Sequence, residues 1–126
     1  MLYAVLCYNS EDAVAAWSKE EEDKVMSDLA AVERKYAAAG RLGPVARLMP
    51  TTAATTLRKA PGESFVVDGP FAETKEQFLG FFVIDMETLD EAIAFAKELA
   101  VANPGVGAYE IRPLRVFKPG GALDPL

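Results

Sequence analysis

The sequence predicts an α+β protein with a ferredoxin-like, split βαβ fold. Three observations support this prediction. The predicted elements follow the order β-α-β-β-β-β-α-β, two segments combine helix-capping residues with apolar residues at helical spacing, and two strands are apolar on both faces. The 126 residues are enough for one domain, since a single core commonly serves about 100–150 residues. We therefore expect an antiparallel sheet with two helices on one face and an extra hairpin.

The first predicted strand, from Leu2 to Tyr8, is apolar on both of its faces. A strand with one face in water alternates apolar and polar residues, so this strand needs cover on both sides. The segment has no basic residues before it and is too short for a signal peptide or a membrane span. These features predict a cytoplasmic protein. Cys7, within the strand, is interpreted as a small core residue.

Two helices are predicted from their capping sequences, Ser18 with Glu21 and Thr88 with Glu91. In a capping box the hydroxyl and the carboxylate bind free backbone N–H groups at the helix start. Apolar residues then recur at helical spacing, at Val25, Met26, Leu29, Val32 and Tyr36, and at Leu89, Ala92, Ile93, Ala96, Leu99 and Ala100. The predicted solvent face of the first helix carries Lys24, Asp28, Glu33 and Lys35. Gly40 is a typical helix end, and no third helix is predicted.

Five further strands are predicted along the chain, at Val45–Met49, Thr55–Arg58, Ser64–Asp68, Leu79–Asp85 and Ala108–Val116. The second and third of these flank a Pro-Gly turn and form the extra hairpin. Pro113 favours an edge position for the last strand, because proline cannot donate a hydrogen bond to a neighbour. Residues 1–117 are predicted to form the domain, and residues 118–126 a flexible C-terminal tail.

The strands that are apolar on both faces predict a homodimer. Leu2–Tyr8 and Phe81–Ile84 both have this character, yet two helices cover only one face of the sheet. A second copy of the same sheet is the economical cover for the other face. The space between two such sheets is a natural pocket for a small molecule.

Composition excludes several classes of function. Thirteen basic residues against 19 acidic ones leave a net charge of −6, which disfavours direct binding to nucleic acid or to an anionic membrane. The chain has no histidine and one cysteine, so Ser-His-Asp hydrolysis, a cysteine-based zinc site and an intrachain disulfide are excluded. No acidic spacing matches a calcium loop. The sequence therefore predicts no metal and no cofactor.

The segment Asp68–Gln77, which reads DGPFAETKEQ, resembles the signature of the YCII-related (YciI-like) superfamily, in its DGPF-domain branch. Four flanking segments resemble the same family, at Ala54–Arg58, Gly80–Asp85, Leu89–Ala92 and Glu110–Leu114. The resemblance implies a dimeric α+β barrel built from ferredoxin-like subunits. It also implies a link to extracytoplasmic-function sigma factors. Relatives in the wider superfamily carry a His-Asp pair, of which only the aspartate is matched here, by Asp68.

Asp68 is the candidate catalytic residue, with two interpretations. It is either a carboxylate that acts as a base or binds ligand at the pocket mouth, or a cap that accepts backbone N–H bonds of the following turn. Gly69 and Pro70 shape that turn. Phe71 is either a core residue or a stacking surface for ligand, and Lys75 belongs either to a lid or to the solvated surface.

Three further candidate ligand-binding residues lie outside the signature, at Arg112, Tyr8 and Arg47. Arg112 is flanked by apolar strand residues, which requires a charged partner or an anionic ligand. Two functions stay open on this basis. The first is cofactor-free acid/base chemistry in a homodimer, with Asp68 and Arg112 as the chief polar groups. The second is a non-enzymatic module that senses a ligand or regulates a sigma-factor system.

Overall fold

A computed structural model describes all of residues 1–126. The strands are β1 (Leu2–Asn9), β2 (Leu42–Arg47), β3 (Thr55–Arg58), β4 (Phe65–Asp68), β5 (Gln77–Asp85) and β6 (Ala108–Pro113). The helices are α1 (Glu11–Ala15), α2 (Lys19–Ala38) and α3 (Leu89–Ala102), with a short 3₁₀ turn at Thr51–Ala53. The prediction of an α+β fold is confirmed.

Four strands form one antiparallel sheet in the order β2-β5-β1-β6. This is the arrangement expected for a split βαβ chain, in which the first and third core strands are central and the other two lie at the edges. β3 and β4 pair only with each other, as the predicted hairpin. β6 lies at an edge and ends at Pro113, as the missing N–H of proline requires.

The two long helices begin at the predicted caps. The Ser18 hydroxyl accepts a hydrogen bond from the Glu21 N–H at 3.1 Å, and the Thr88 hydroxyl accepts one from the Glu91 N–H at 3.2 Å. Gly40 follows α2 with a φ of +72°, a conformation that glycine adopts without a steric penalty. The two capping hydrogen bonds span only three residues each, which explains why the local sequence predicts them.

The prediction of no third helix is wrong. α1 is a helix of five residues capped by the Ser10 side chain, which accepts from the Ala13 N–H at 3.2 Å. A helix this short has no repeating apolar stripe that periodicity can detect. It is held to the rest of the fold by the Glu11 N–H, which donates to the Gln77 side chain at 2.9 Å.

β2 begins three residues earlier than predicted, at Leu42 rather than Val45. Gly43 and Pro44 are typical of a turn, but an edge strand accommodates them. Its register with β5 shifts between Leu42 and Val45, and such an irregularity admits a proline that cannot join the hydrogen-bond ladder.

One face of the sheet packs against α2 and α3 and forms the core. The buried cluster contains Tyr3, Val5, Phe82, Ile84 and Met86 with Ala92, Phe95, Ala96 and Leu99 of α3. The Phe95 ring lies at its centre, 4.8 Å from the Tyr36 ring centroid and 5.6 Å from that of Phe82, both in edge-on arrangements. Edge-on aromatic pairs add to the stabilisation from burial alone.

The other face of the sheet, here called the open face, has no helix over it. Because side chains alternate along a strand, it carries Leu2, Ala4, Leu6 and Tyr8 of β1 and Phe81 and Val83 of β5. Val83 is buried, but the other side chains of this face are half-buried, whereas Tyr3 and Val5 on the helix side are both buried. The apolar character of β1 on both faces therefore leaves an uncovered apolar surface in the single chain.

None of the helices has the length and the apolar composition that a membrane-spanning helix needs.

Glu98 of α3 joins the two long helices by charged hydrogen bonds. Its carboxylate accepts from the Lys35 ammonium at 2.6 Å and from the Tyr36 hydroxyl. These hydrogen bonds, and the Lys35 charge, hold the pKa of Glu98 below its ordinary value of 4.5. A lowered pKa in the folded state stabilises the protein above the unfolded-state pKa, and that stabilisation is lost as the pH falls through the folded-state value.

We therefore expect Glu98→Gln to lower the free energy of unfolding at pH 7 by no more than about 1 kcal/mol, since the ion pair is largely solvated. The deficit should begin to shrink as the pH falls below the ordinary glutamate pKa of about 4.5 and should disappear only below the lowered folded-state pKa of Glu98, where the folded wild-type carboxyl is protonated. Urea denaturation at a series of pH values measures this. Glu63→Gln, at an exposed loop position, is the matched control. A deficit that persists at low pH would show that Glu98 acts by packing rather than by charge.

Candidate functional site

Hydrogen bonds to the backbone groups of the loop after β4 hold this loop in place. Gly69 has a φ of +102°, and its N–H donates to the Ala54 carbonyl at 2.8 Å. The Thr56 hydroxyl donates to the Gly69 carbonyl at 2.7 Å, and the Arg58 guanidinium donates to the Phe71 carbonyl. A side chain at Gly69 would strain this left-handed conformation. The loop is thus bound to the β3 side of the hairpin.

A polar hollow of about 410 Å³ lies beside this loop. Gly69 and Pro70 line it together with Thr51, Thr52, Ala72, Glu73, Thr74 and Gln77. The Glu11 carboxylate fixes one wall, because it accepts hydrogen bonds from the Thr51 N–H at 3.0 Å and from the Thr51 hydroxyl at 3.1 Å. The hollow suits a polar ligand, since seven of its eight lining residues are not hydrophobic.

The Asp68 carboxylate is exposed at the end of β4. The structure gives it no ion pair, and the N–H donors of the following turn do not cap it. The predicted cap is replaced by the backbone hydrogen bonds of Gly69. Phe71 and Lys75 are also exposed, so Phe71 is not a core residue of the single chain. All three side chains are free to meet a ligand or a second chain.

Tyr8 and Arg112 lie on the open face. Arg112 pairs with Ala4 across β1 and β6, and Glu110 pairs with Leu6, so both charged side chains share the face of Tyr8. The Tyr8 hydroxyl donates to a Glu110 carboxylate oxygen at 3.4 Å. Desolvation of the Tyr8 hydroxyl and the negative charge of the nearby Glu110 carboxylate raise the pKa of Tyr8. One end of the apolar open face therefore carries a small polar group, which includes Glu110, a residue that the sequence did not single out.

Arg47 lies on the opposite face of the sheet. It pairs with Gly80 of β5, which in turn pairs with Cys7 of β1, and its Nη1 is 2.9 Å from the Met26 sulfur of α2. The predicted site residues thus occupy three places: the hairpin loop, the open face and the helix side. The structure of one chain does not bring them together.

The helix side holds a more enclosed cavity of about 150 Å³, here called the inner cavity. Its polar lining consists of Cys7, Glu33, Arg47, Asn103 and Tyr109, and most of the remaining lining is apolar, including Trp17, Met26 and Leu29. Glu33 is half-buried there, so its prediction as part of a solvated helix face is wrong. Glu33 lies beside the apolar stripe of α2. Only the packing of α2 on the sheet therefore shows whether the Glu33 side chain faces solvent or the inner cavity.

Burial affects the titratable groups of the inner cavity. It raises the pKa of the Glu33 carboxyl and of the Cys7 thiol, with a hydrogen bond from Tyr109 partly opposing the effect on Cys7. Burial also raises the pKa of Tyr109 to about 12. A thiol with a raised pKa forms little thiolate, so Cys7 is a poor nucleophile. No three acidic or cysteine side chains are grouped as metal ligands.

Two comparisons with known proteins bear on this chain. The family model of the YCII-related domain matches residues 1–118. An uncharacterized protein of Rhizobium meliloti (strain 1021) is 66% identical over 120 residues, which cover 95% of this chain and 97% of that protein. The matched region includes the hairpin loop, the open face and the inner cavity.

Proposed function

Since this chain belongs to the YCII-related domain family, we propose that it works as a cytoplasmic homodimer that binds a small molecule between two facing sheets. The uncovered apolar open face is the observation that carries the proposal. Leu6 and Phe81 are directly paired at its centre and are only half-buried in the single chain. A twofold-related copy would bury both residues with one self-complementary contact. Light scattering at micromolar concentration tests this, and a monomer would contradict it.

The polar groups at the edges of the open face are the proposed ligand contacts. Tyr8 and Glu110 are joined by a hydrogen bond, and Arg112 lies two residues further along β6. Arg112 has no carboxylate partner within ion-pair distance in the single chain, which leaves its guanidinium available to an anionic group of the ligand. In this proposal the Asp68 loop closes the edge of the site, where Gly69, Pro70, Phe71 and Lys75 contact the ligand.

Asp68 is the proposed acid/base group, acting without a cofactor. Its carboxylate has no protein partner in the single chain, so it is free to accept a proton from a bound substrate and return it to another atom. Chemistry of this kind needs no histidine. It is limited to substrates whose proton a carboxylate can remove.

We expect Asp68→Asn to retain the fold and the dimer and to lose the rise in melting temperature caused by any ligand found in a screen of small metabolites. The reason is that the amide preserves shape but removes charge and basicity. A ligand at one hundred times its dissociation constant stabilises by about 2.7 kcal/mol, so the loss is easily measured. Asp124→Asn, in the exposed C-terminal tail, is the control. An unchanged response of Asp68→Asn would contradict the assignment.

A second candidate function is a non-enzymatic module that regulates an extracytoplasmic-function sigma factor. The supporting observation is the apolar surface of the hairpin and its loop, where Leu57, Val66 and Phe71 are 63%, 66% and 72% exposed. Apolar groups exposed together commonly mark a protein contact. Co-elution with a purified extracytoplasmic-function sigma factor from the same organism tests this, with Leu57→Ser as the disrupting variant. Wild-type protein that elutes separately would contradict it.

A further inference from the structure

Gly80 lies in the floor of the inner cavity. Across the helix side of the sheet, one row of paired residues is Ile111, Val5, Phe82 and Val45, and the next row is Tyr109, Cys7, Gly80 and Arg47. In the first row the position on β5 is occupied by Phe82. In the second row it is occupied by Gly80, next to the small Cys7 of β1. A Cβ at Gly80 would lie 2.3 Å from the Ala46 carbonyl oxygen. The close approach of β2 thus requires glycine at this position of the floor.

The roof and walls of the inner cavity suit an aromatic ring. Met26 and Leu29 of α2 close it from above, and Trp17, Phe82 and Tyr109 provide aromatic surfaces. A cavity of about 150 Å³ is large enough for a benzene ring in an apolar protein interior. Aromatic edges and a thioether sulfur make favourable contacts with such a ring. Size and lining together suit a single six-membered ring, whereas a nucleotide would be too large.

One polar atom in the wall is left without a partner. The Asn103 amide donates to the Tyr109 hydroxyl at 3.3 Å, but its Oδ1 is buried and accepts no hydrogen bond. Buried acceptors of this kind are rare, because leaving one unpaired costs free energy. A ligand in the inner cavity with one O–H or N–H group would satisfy it once the Asn103 side chain turns its Oδ1 toward the cavity.

The charges around the inner cavity favour a neutral ligand. Glu33 and Arg47 both line it, yet neither forms an ion pair with the other or with another side chain. Arg47 and Val45 are exposed, so the mouth lies at the β2 edge, while the groups furthest from that edge are Cys7, Tyr109 and Asn103. Since the inner end holds no charged group, an ionised ligand group placed there would lose its hydration without gaining a counter-charge.

We propose that the inner cavity is a binding site for a small neutral phenol-type molecule, with its ring between α2 and the sheet and its hydroxyl donating to Asn103. The site lies on the opposite face of the sheet from the open face, and it is complete within one chain. It therefore differs from the ligand site proposed between two sheets, although Phe81 borders both.

Titration of the wild-type protein with phenol, toluene and benzoate tests the proposal. Trp17 is the only tryptophan of the chain and lines the cavity, so its fluorescence reports binding, and calorimetry gives the affinity. We expect a dissociation constant of roughly 0.1–1 mM for phenol, as a ligand of this size allows. Toluene, which has the same shape without the donor, should bind about three- to tenfold more weakly. Absence of phenol binding, or tighter binding of benzoate, would overturn the proposal.

Two variants distinguish the contribution of the apolar pocket to binding from that of the hydrogen bond to Asn103. Asn103→Leu keeps the branching and number of side-chain heavy atoms, and should reduce the affinity for phenol to that for toluene. Cys7→Leu extends into the cavity and should abolish binding of both. If Cys7→Leu does not fold, Asn103→Leu decides the outcome, because an unchanged preference for phenol over toluene overturns the assignment. Leu6→Lys, on the open face, should bind phenol as wild type does even when it is monomeric, which distinguishes this site from the dimer interface.

Discussion

If the proposed homodimer forms through the open face, Leu6→Lys is expected to convert it into a folded monomer. Leu6 lies at the centre of the open face, paired with Phe81 on one side and Glu110 on the other. In a twofold dimer each interface would receive two lysines, because the same surface is used by both copies. Burying the two ammonium groups would cost several kcal/mol each, a total comparable with the association free energy of about 8 kcal/mol for a micromolar dimer. In the monomer the half-exposed position lets the lysine reach water or the Glu110 carboxylate.

Sedimentation velocity at micromolar concentration measures this change as a halving of the mass. Ala31→Lys is the matched control, since Ala31 is exposed on α2, on the helix side of the sheet, and should leave the dimer intact. Circular dichroism should show that both variants are folded. A Leu6→Lys protein that remains dimeric would place the interface elsewhere, on the exposed hairpin or the helices.

Phe95→Ala is expected to lower the free energy of unfolding by about 3–5 kcal/mol, as truncation of a buried phenylalanine generally does. Phe95 is fully buried and contacts the rings of Tyr36 and Phe82 edge-on. Its removal leaves a cavity at the junction of both helices and the sheet. Because domains of this size are stable by roughly 5–15 kcal/mol, the variant should be close to unfolding at physiological temperature.

Urea denaturation measures the loss, and Phe95→Leu provides a milder variant if the alanine protein does not fold. Leu89→Ala is the control on the same helix, since Leu89 is 51% exposed and its truncation should change stability by less than about 0.5 kcal/mol. A loss below about 1 kcal/mol for Phe95→Ala would mean that the helices repack around the gap.

Elements with strong local signals were predictable from the sequence. The hydroxyls of Ser18 and Thr88 bind N–H groups only three residues away, and β1 carries its apolar pattern within eight residues. α1 was missed because five residues cannot show a helical period, and the start of β2 was missed because Gly43 and Pro44 have the composition of a turn. In β2 the pairing with β5 overrides the local preference.

The candidate site was less predictable, because it depends on register. Arg47 and Tyr8 were grouped as ligand residues, but they lie on opposite faces of the sheet. Arg47 faces the helices because it pairs with Gly80, after a register shift in β2 that has no separate sequence signal. Glu33 was assigned to solvent for the same kind of reason, since helical spacing defines a stripe but not its exact limits. Asn103 and Tyr109 meet only through the packing of α3 beside β6.

The sequence by itself determined the α+β class, the caps of both long helices, the hairpin and the apolar character of β1 on both faces. It did so because these features arise from neighbours along the chain and from a simple alternation of side chains. The tertiary structure alone decided which residues share a face, where the Asp68 carboxylate lies and where a cavity is left beside Gly80. Those features depend on contacts between segments far apart in the chain, and a shift of one residue in pairing would move each side chain to the other face.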